Sequence, residues 1–248
     1  MAKISYLIAT KNRARTLKET IDSLQKQTVN DWEAVIIDDH STDETENLIS
    51  KYKDDRLRYF LLPSHMHGPA NARNFGALMS ASPILAILDS DDAAYPKRTE
   101  VTLKSFRENP TADIFYGNID VLVEETGIIR DRKTPFIPFS YERLKQGNFI
   151  THSTVAIKRQ LLLDFPYNPI YQIAEDYELY TRLAAAGKIF VFTNQKIVLY
   201  RVGADNLSVG DSRSAITNAY SDLVRMARGW ISDDPSIYEG IRMIEEKE

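Results

Sequence analysis

The chain has 248 residues, a formal net charge of −4 and no cysteine, with 43% hydrophobic and 27% charged residues. That length buries a sizeable core as one large α/β domain or two small ones, and the composition excludes a disordered, collagen-like or low-complexity chain. The acidic balance argues against a general nucleic-acid binder, and the missing cysteines remove disulfides, thiolate metal sites and a cysteine nucleophile together.

No stretch reaches the roughly 18 apolar residues that span a bilayer. The apolar start at 4–9 is short, is interrupted by Ser5, and reads as a buried strand rather than a signal peptide. The expectation is a soluble cytoplasmic protein, with peripheral contact at the inner face of a membrane still open.

The first half alternates strands and helices. Strands are expected at 4–9, 32–37, 57–62 and 83–88. Helices are expected at 15–27, with Leu17, Ile21 and Leu24 on one face, and at 43–53, 69–80 and 96–108. Pro69 and Pro96 suit first helical turns. Strands separated by helices of this length imply a doubly wound, mostly parallel sheet, which binds ligands beyond the carboxyl ends of its strands.

The second half is less regular. Residues 114–123 and 127–130 read as a strand pair, and 135–139 as a loop with exposed aromatics. A short strand follows at 155–157, a helix at 175–186 stopped by Gly187, two strands at 189–192 and 196–200, and a helix at 212–231. No internal repeat appears. The division expected is one α/β domain over 1–210, with a donor half to about residue 110, and a helical extension over 211–248.

Two acidic turns sit where strands end: Ile36-Ile37 runs into Asp38-Asp39, and Leu88 into Asp89-Ser90-Asp91-Asp92. Massed carboxylates repel one another unless a cation or donor groups lie nearby. Mg2+ and Mn2+ prefer oxygen ligands and also bridge phosphate oxygens. One such turn could simply end a strand and cap a helix; two on one edge of a parallel sheet point to a site.

Thr10-Lys-Asn-Arg13, Asp38-Asp-His-Ser-Thr-Asp43, Gly68-Pro-Ala-Asn-Ala-Arg-Asn-Phe-Gly76, Leu88-Asp-Ser-Asp-Asp92 and the Glu175-Asp176 helix start occur in that order. The set resembles a family-2 glycosyltransferase of the GT-A fold and spans roughly residues 3 to 205. That resemblance implies a Rossmann-like central sheet with a small antiparallel portion. It also implies transfer of a sugar, with inversion, from a nucleoside diphosphate to a hydroxyl of a glycan, lipid-linked or polymer acceptor.

Residue by residue, the resemblance puts Ala9, Thr10, Asn12, Asp39, Arg73, Asp89, Ser90 and Arg201 at the donor, with Ser208 near Arg201. Asp89 faces the ribose and Asp91 holds Mn2+ or Mg2+ on the diphosphate. Asp39 with Arg73 resembles a pyrimidine-reading pair, so a UDP-sugar is favoured; the null is a direct Asp39–Arg73 ion pair. Lys11 stands where relatives often carry an aromatic. Asp176 matches the catalytic base, and a helix N-terminus tends to lower its pKa. Glu175 and His152 are candidates for contacting the sugar or acceptor. Asp92 reads as a cap of the next segment.

Outside these motifs, His65-Met-His67 lacks a third zinc ligand and reads as polar loop. Lys11, Arg13 and Arg15 form a small basic patch. No glycine-rich phosphate loop follows the first strand, which argues against a nucleotidyltransferase or a dinucleotide-dependent dehydrogenase. An Asp-x-Asp phosphatase leaves the Asp38-Asp39 turn unexplained. A non-catalytic sugar-nucleotide sensor on the same fold is the alternative.

Overall fold

The structure is a computed structural model that describes residues 2–131, 139–203, 223–226 and 228. In chain order the strands are β1 (Ile4–Thr10), β2 (Trp32–Asp38), β3 (Leu57–Leu61), β4 (Ile84–Ile87), β5 (Ala93–Ala94), β6 (Ile114–Val123), β7 (Ile128–Asp131), β8 (Ala156–Lys158) and β9 (Phe190–Val202). The helices are α1 (Ala14–Gln25), α2 (Thr45–Ser50), α3 (Pro69–Met79), α4 (Arg98–Glu108), α5 (Tyr141–Leu144), α6 (Arg159–Asp164) and α7 (Glu175–Ala185). A 3-10 turn covers His152–Thr154.

The strands form one sheet in the order β3-β2-β1-β4-β8-β6-β9-β5, with β7 paired to β6. From β3 to β4 the pairing is parallel, as expected of strands joined by helices. Its register aligns Thr10 with Asp38 and Leu7 with Ile87, so the strand ends at Thr10, Asp38 and Leu88 open on the same edge. β8 then runs antiparallel to both β4 and β6.

Both faces of the sheet are covered, which explains why β1 and β2 read as continuous apolar runs. Leu7, Val35, Ile37, Leu85 and Ile87 pack in one cluster with Ala72 of α3 and Leu183 of α7. Tyr6, Ile8, Ala34 and Ile36 pack in the other with Leu17, Ile21 and Leu24 of α1. Gly76 lets α3 lie close to the sheet: a Cβ there would sit 3.2 Å from side chains of both Ile37 and Leu7.

Three expectations change. The two strands at 189–192 and 196–200 are one strand, β9, whose pairing with β6 shifts register between Tyr116 and Asn118. The shift absorbs the polar Thr193-Asn194-Gln195 stretch as a bulge, and the Asn118 amide holds Asn194 through its carbonyl oxygens. Phe139 is buried rather than exposed, and stacks on Phe190 with ring centroids 4.1 Å apart. Short elements, β5, α5 and α6, also appear where no periodic pattern announces them. Residues 132–138 and most of the expected 212–231 helix, with Ser208, lie outside the described residues.

Candidate active site

A cavity of about 590 Å³ opens at the carboxyl edge of the parallel strands, within the usual range for small-molecule sites. One wall is built by Ala9 at the end of β1 and by Asp89, Ser90 and Asp91 after β4. A second wall carries Glu175 and Asp176 at the start of α7 with Asn148, Arg73 of α3 lies between the two walls, and His152 adjoins Asp89, whose N–H donates to the neighbouring Ser153 hydroxyl. Eight of the residues expected at the site, Ala9, Arg73, Asp89, Ser90, Asp91, His152, Glu175 and Asp176, therefore line one space.

Arg73 joins the two walls. Its Nη2 donates to Asp89 Oδ1 at 2.8 Å and its Nη1 to Glu175 Oε1, and the guanidinium is buried. The alternative reading, a direct Asp39–Arg73 ion pair, is not what forms: Asp89 and Glu175 use both ends of the fork. Burial alone works against the charge, but Asp89 and Glu175 outweigh it and hold Arg73 firmly protonated. Burial likewise pushes Asp89 up, and Arg73 more than reverses that, leaving its carboxyl below the ordinary range.

Asp91 and Asp92 are not bridged by Arg73, and Arg13 and Arg201 only partly offset what raises Asp91. Burial, and then the Asp89 charge, push Asp91 up to about 6. Asp92 is driven well above the ordinary range by burial and by both neighbouring aspartates. It is not a helix cap: its Oδ1 accepts the Arg201 N–H at 2.8 Å, tying the acidic turn to β9. Arg98 lies fully buried nearby and donates to the Ile87 carbonyl at the end of β4.

Asp176 departs from the expectation of a lowered pKa. Burial and the adjacent Glu175 push it up to about 7, outweighing the Tyr177 N–H at the helix start and the charge of Arg73. Loss of solvent around a half-buried carboxylate exceeds what one helix terminus supplies. Asn148 Nδ2 donates to Asp176 Oδ2 at 2.8 Å, and the Asn148 carbonyl oxygen accepts the Ile150 N–H at 3.0 Å. This second bond turns the amide so that its NH2 faces the carboxylate. Sequence reasoning missed Asn148, which lies in a loop with no motif. Ala174, just before the pair, adopts the left-handed region with φ of 63°, a conformation that non-glycine residues keep at some cost.

The remaining candidates sit around the cavity rather than on it. Asp39 is held by the Gly68 N–H at 3.0 Å, by Lys11 Nζ at 3.2 Å and by His67 at 3.2 Å. Burial opposes these partners, yet together they keep its carboxyl low. Gly68 has φ of 86°, which glycine tolerates. Asn12, with φ of 53°, accepts the Thr42 N–H at 2.7 Å and joins the first two strand-end loops. Thr10 is buried and its hydroxyl has no hydrogen-bond partner.

Arg201 is buried, donating to the Asp91 carbonyl at 2.9 Å and pairing with Glu19 and Glu124. It props the acidic turn from its main chain. His152 lines the cavity, but its ring nitrogens engage the Tyr180 and Tyr167 hydroxyls. Burial, with Arg73, lowers its pKa to about 3, so the ring is neutral. Of the basic patch, Arg13 reaches the cavity, while Arg15 pairs with Glu124.

Comparison with known proteins gives the family and the fold. Residues 5–165 match glycosyl transferase family 2. The Escherichia coli UDP-Glc:alpha-D-GlcNAc-diphosphoundecaprenol beta-1,3-glucosyltransferase WfaP is 29% identical over 230 residues, covering 92% of this chain and 85% of its own length. Among solved structures, S. aureus TarS 1-349 in complex with UDP-GlcNAc aligns with a TM-score of 0.73 and 18% identity, over 95% of this chain and 70% of that one. The Pyrobaculum calidifontis mannosyltransferase PcManGT, in complex with GDP-Man and Mn2+, aligns with a TM-score of 0.72 and 17% identity, over 96% of this chain and 67% of its own. At those identities the structures speak for the fold, and the family match covers well over half of the chain. The chain belongs to glycosyl transferase family 2, and is a glycosyltransferase with the GT-A fold.

Proposed function

We propose that the protein transfers a sugar from a nucleoside diphosphate, with UDP favoured, to an acceptor hydroxyl by a single displacement with inversion. The observation that carries the reading is that two kinds of carboxylate line one cavity: the Asp89-Ser90-Asp91 turn after β4 and Asp176 at the start of α7. Asp176 takes the proton of the acceptor hydroxyl as that oxygen attacks the anomeric carbon. The bond from that carbon to the diphosphate oxygen breaks, and the nucleoside diphosphate leaves with the electron pair. General-base help of this kind needs a carboxylate with a pKa near the working pH, and Asp176 at about 7 meets that condition.

The residues present fit a divalent cation. Asp91 lines the cavity and is lifted to about 6 by burial and by Asp89, the behaviour of a carboxylate short of positive charge. Asp91, with Asp89 beside it, would hold Mn2+ or Mg2+, which when bound stabilises the departing diphosphate as a Lewis acid. Arg73 fixes Asp89 on the donor side and Glu175 on the acceptor side. Asp39, outside the cavity lining, would read the base.

The UDP assignment is supported by the UDP-sugars named for WfaP and in the TarS complex, while PcManGT carries GDP-Man. The diphosphoundecaprenol acceptor of WfaP supports a lipid-linked acceptor and work at the cytoplasmic face of a membrane. No helix among the described residues is long and apolar enough to cross a membrane, so such contact would be peripheral. The catalytic unit is proposed to span 1–210, with 211–248 as an extension.

The test pairs a panel of nucleotide sugars with a lipid-diphosphate-linked sugar acceptor in manganese. The expected result is transfer from a UDP-sugar to a product whose anomeric configuration, read by NMR, is opposite to that of the donor. A product of unchanged configuration overturns inversion, and a calorimetric preference for GDP over UDP overturns the base assignment.

A further inference from the structure

Asp39, His40 and His67 gather outside the cavity, where β2 ends and the loop after β3 returns. Each offers one ligand atom, and the three atoms lie within 4.8 Å of one another. The His40 and His67 rings are 5.3 Å apart between centroids. His67 Nδ1 stands 3.2 Å from Asp39 Oδ1. In a tetrahedral zinc site, with ligands about 2.0–2.2 Å from the metal, neighbouring ligand atoms are about 3.3–3.5 Å apart. One edge of such a site is therefore already at length. The other separations, at most 4.8 Å, exceed that spacing by up to about 1.4 Å, which a turn of the exposed His67 side chain can shorten.

Two further features separate this cluster from a plain hydrogen bond. The Nε2 atom of His40 is buried and has no hydrogen-bond partner, an unmet group that native folds rarely keep. Asp39 Oδ2 is engaged by the Gly68 N–H at 3.0 Å and by Lys11 at 3.2 Å, leaving Oδ1 toward the histidines. Outer partners that orient a ligand in this way are typical of metal centres. Two imidazoles and one carboxylate suit zinc, whereas the all-oxygen set at Asp89 and Asp91 suits Mg2+ or Mn2+.

We propose that Asp39, His40 and His67 form a zinc site, separate from the metal position at Asp91, and that zinc bound there competes with the nucleoside. The zinc site stands on its own geometry; the competition rests on the donor reading, in which Asp39 reads the base. Ligation and base recognition draw on the same carboxylate, so both cannot be satisfied at once.

The experiment is a zinc titration of the metal-stripped full chain at neutral pH, with excess Mg2+ filling oxygen-only sites, followed by UDP titrations with and without zinc. One zinc per chain is expected, and His40→Ala and His67→Ala should each weaken it by roughly tenfold or more. His65→Ala is the control and should bind zinc as the native chain does. Cobalt in place of zinc should show tetrahedral absorption bands that both histidine variants lose. Zinc binding unchanged in the His40 and His67 variants, or abolished by Asp91→Ala, overturns the site. Zinc bound at the site with UDP affinity unchanged overturns the competition. A chain that takes zinc but binds UDP under neither condition refutes the donor reading and leaves the zinc site standing.

Discussion

Replacing Asp176 with Asn should slow the enzyme and stabilise it at the same time. The native carboxyl is lifted from 3.8 to about 7 by burial and Glu175, which corresponds to about 4 kcal/mol between its two protonation states. A raised pKa means that the folded chain binds more protons than the unfolded chain between those two values. Stability therefore falls as pH rises through that window, and the full penalty of the ionised form is present above about pH 7. Asn keeps the shape and can still accept from Asn148 Nδ2, without the charge. Because Asp176 is only half-buried, cavity water screens part of the penalty, and roughly 1–3 kcal/mol of the gain should survive.

The assay is thermal unfolding of both proteins from pH 4 to pH 8.5. For a chain of this size about 1 kcal/mol moves Tm by about 2–4 °C. The variant should melt several degrees higher at pH 8, with the difference shrinking toward zero at pH 4. Turnover should fall by roughly 10²–10⁴-fold, while native kcat/KM should decline below about pH 7 as Asp176 gains its proton. A variant no more stable at pH 8 than at pH 4 refutes the electrostatic argument. Near-native turnover refutes the general base.

Arg73→Met should cost about 3–5 kcal/mol in urea unfolding at neutral pH, because Asp89 and Glu175 lose their shared buried cation; a loss below about 1 kcal/mol would show that the bridge is solvated. Asp91→Ala should abolish manganese-dependent donor binding in calorimetry while the metal-free variant melts no lower than the native chain at neutral pH, since a raised carboxyl is lost, and equal donor affinity of the native enzyme in manganese and in chelator would exclude the metal. Asn148→Ala removes a donor to the ionised form of Asp176, so the acid limb of the kcat/KM profile should move to higher pH; an unmoved limb with lowered turnover would make Asn148 merely structural. Gly76→Val should cost about 1–3 kcal/mol by overpacking α3 against Leu7 and Ile37, seen as a lower urea midpoint with the unfolding slope unchanged.

The parallel half of the sheet was legible because its signal is local. β1, β2 and β4 are rich in β-branched and apolar residues, and Pro69 marks the start of α3 one residue after a glycine. The acidic turns were legible for the same reason, since parallel strands put their carboxyl ends on one edge. What escaped depends on residues distant in the chain. Phe139 looks exposed until Phe190 arrives to stack on it. The two late strands merge because β6 tolerates a bulge opposite Asn194. Arg73 sits on α3, which starts beside the loop that holds Asp39, yet it turns to Glu175, 102 residues away. Asn148 carries no signature at all; only the folded loop shows its amide against Asp176.

The charges divide according to which carboxylates receive the one buried cation between the walls. Arg73 satisfies Asp89 and Glu175, so Asp89 stays ionised and fixed. Asp91 and Asp176 line the same cavity without that bridge, and both are raised, to about 6 and about 7 respectively. Carboxylates pushed apart in pKa within one site can serve different roles. Asp91 is the group a divalent cation would bring down, and Asp176 is the group left able to accept a proton near neutrality. A second arginine beside Asp176 would steady the fold but lower its basicity. Placing Glu175 between Arg73 and Asp176 has the opposite effect: it uses the cation's second arm and adds a negative neighbour. Under the proposed mechanism Glu175 therefore acts by raising the proton affinity of Asp176.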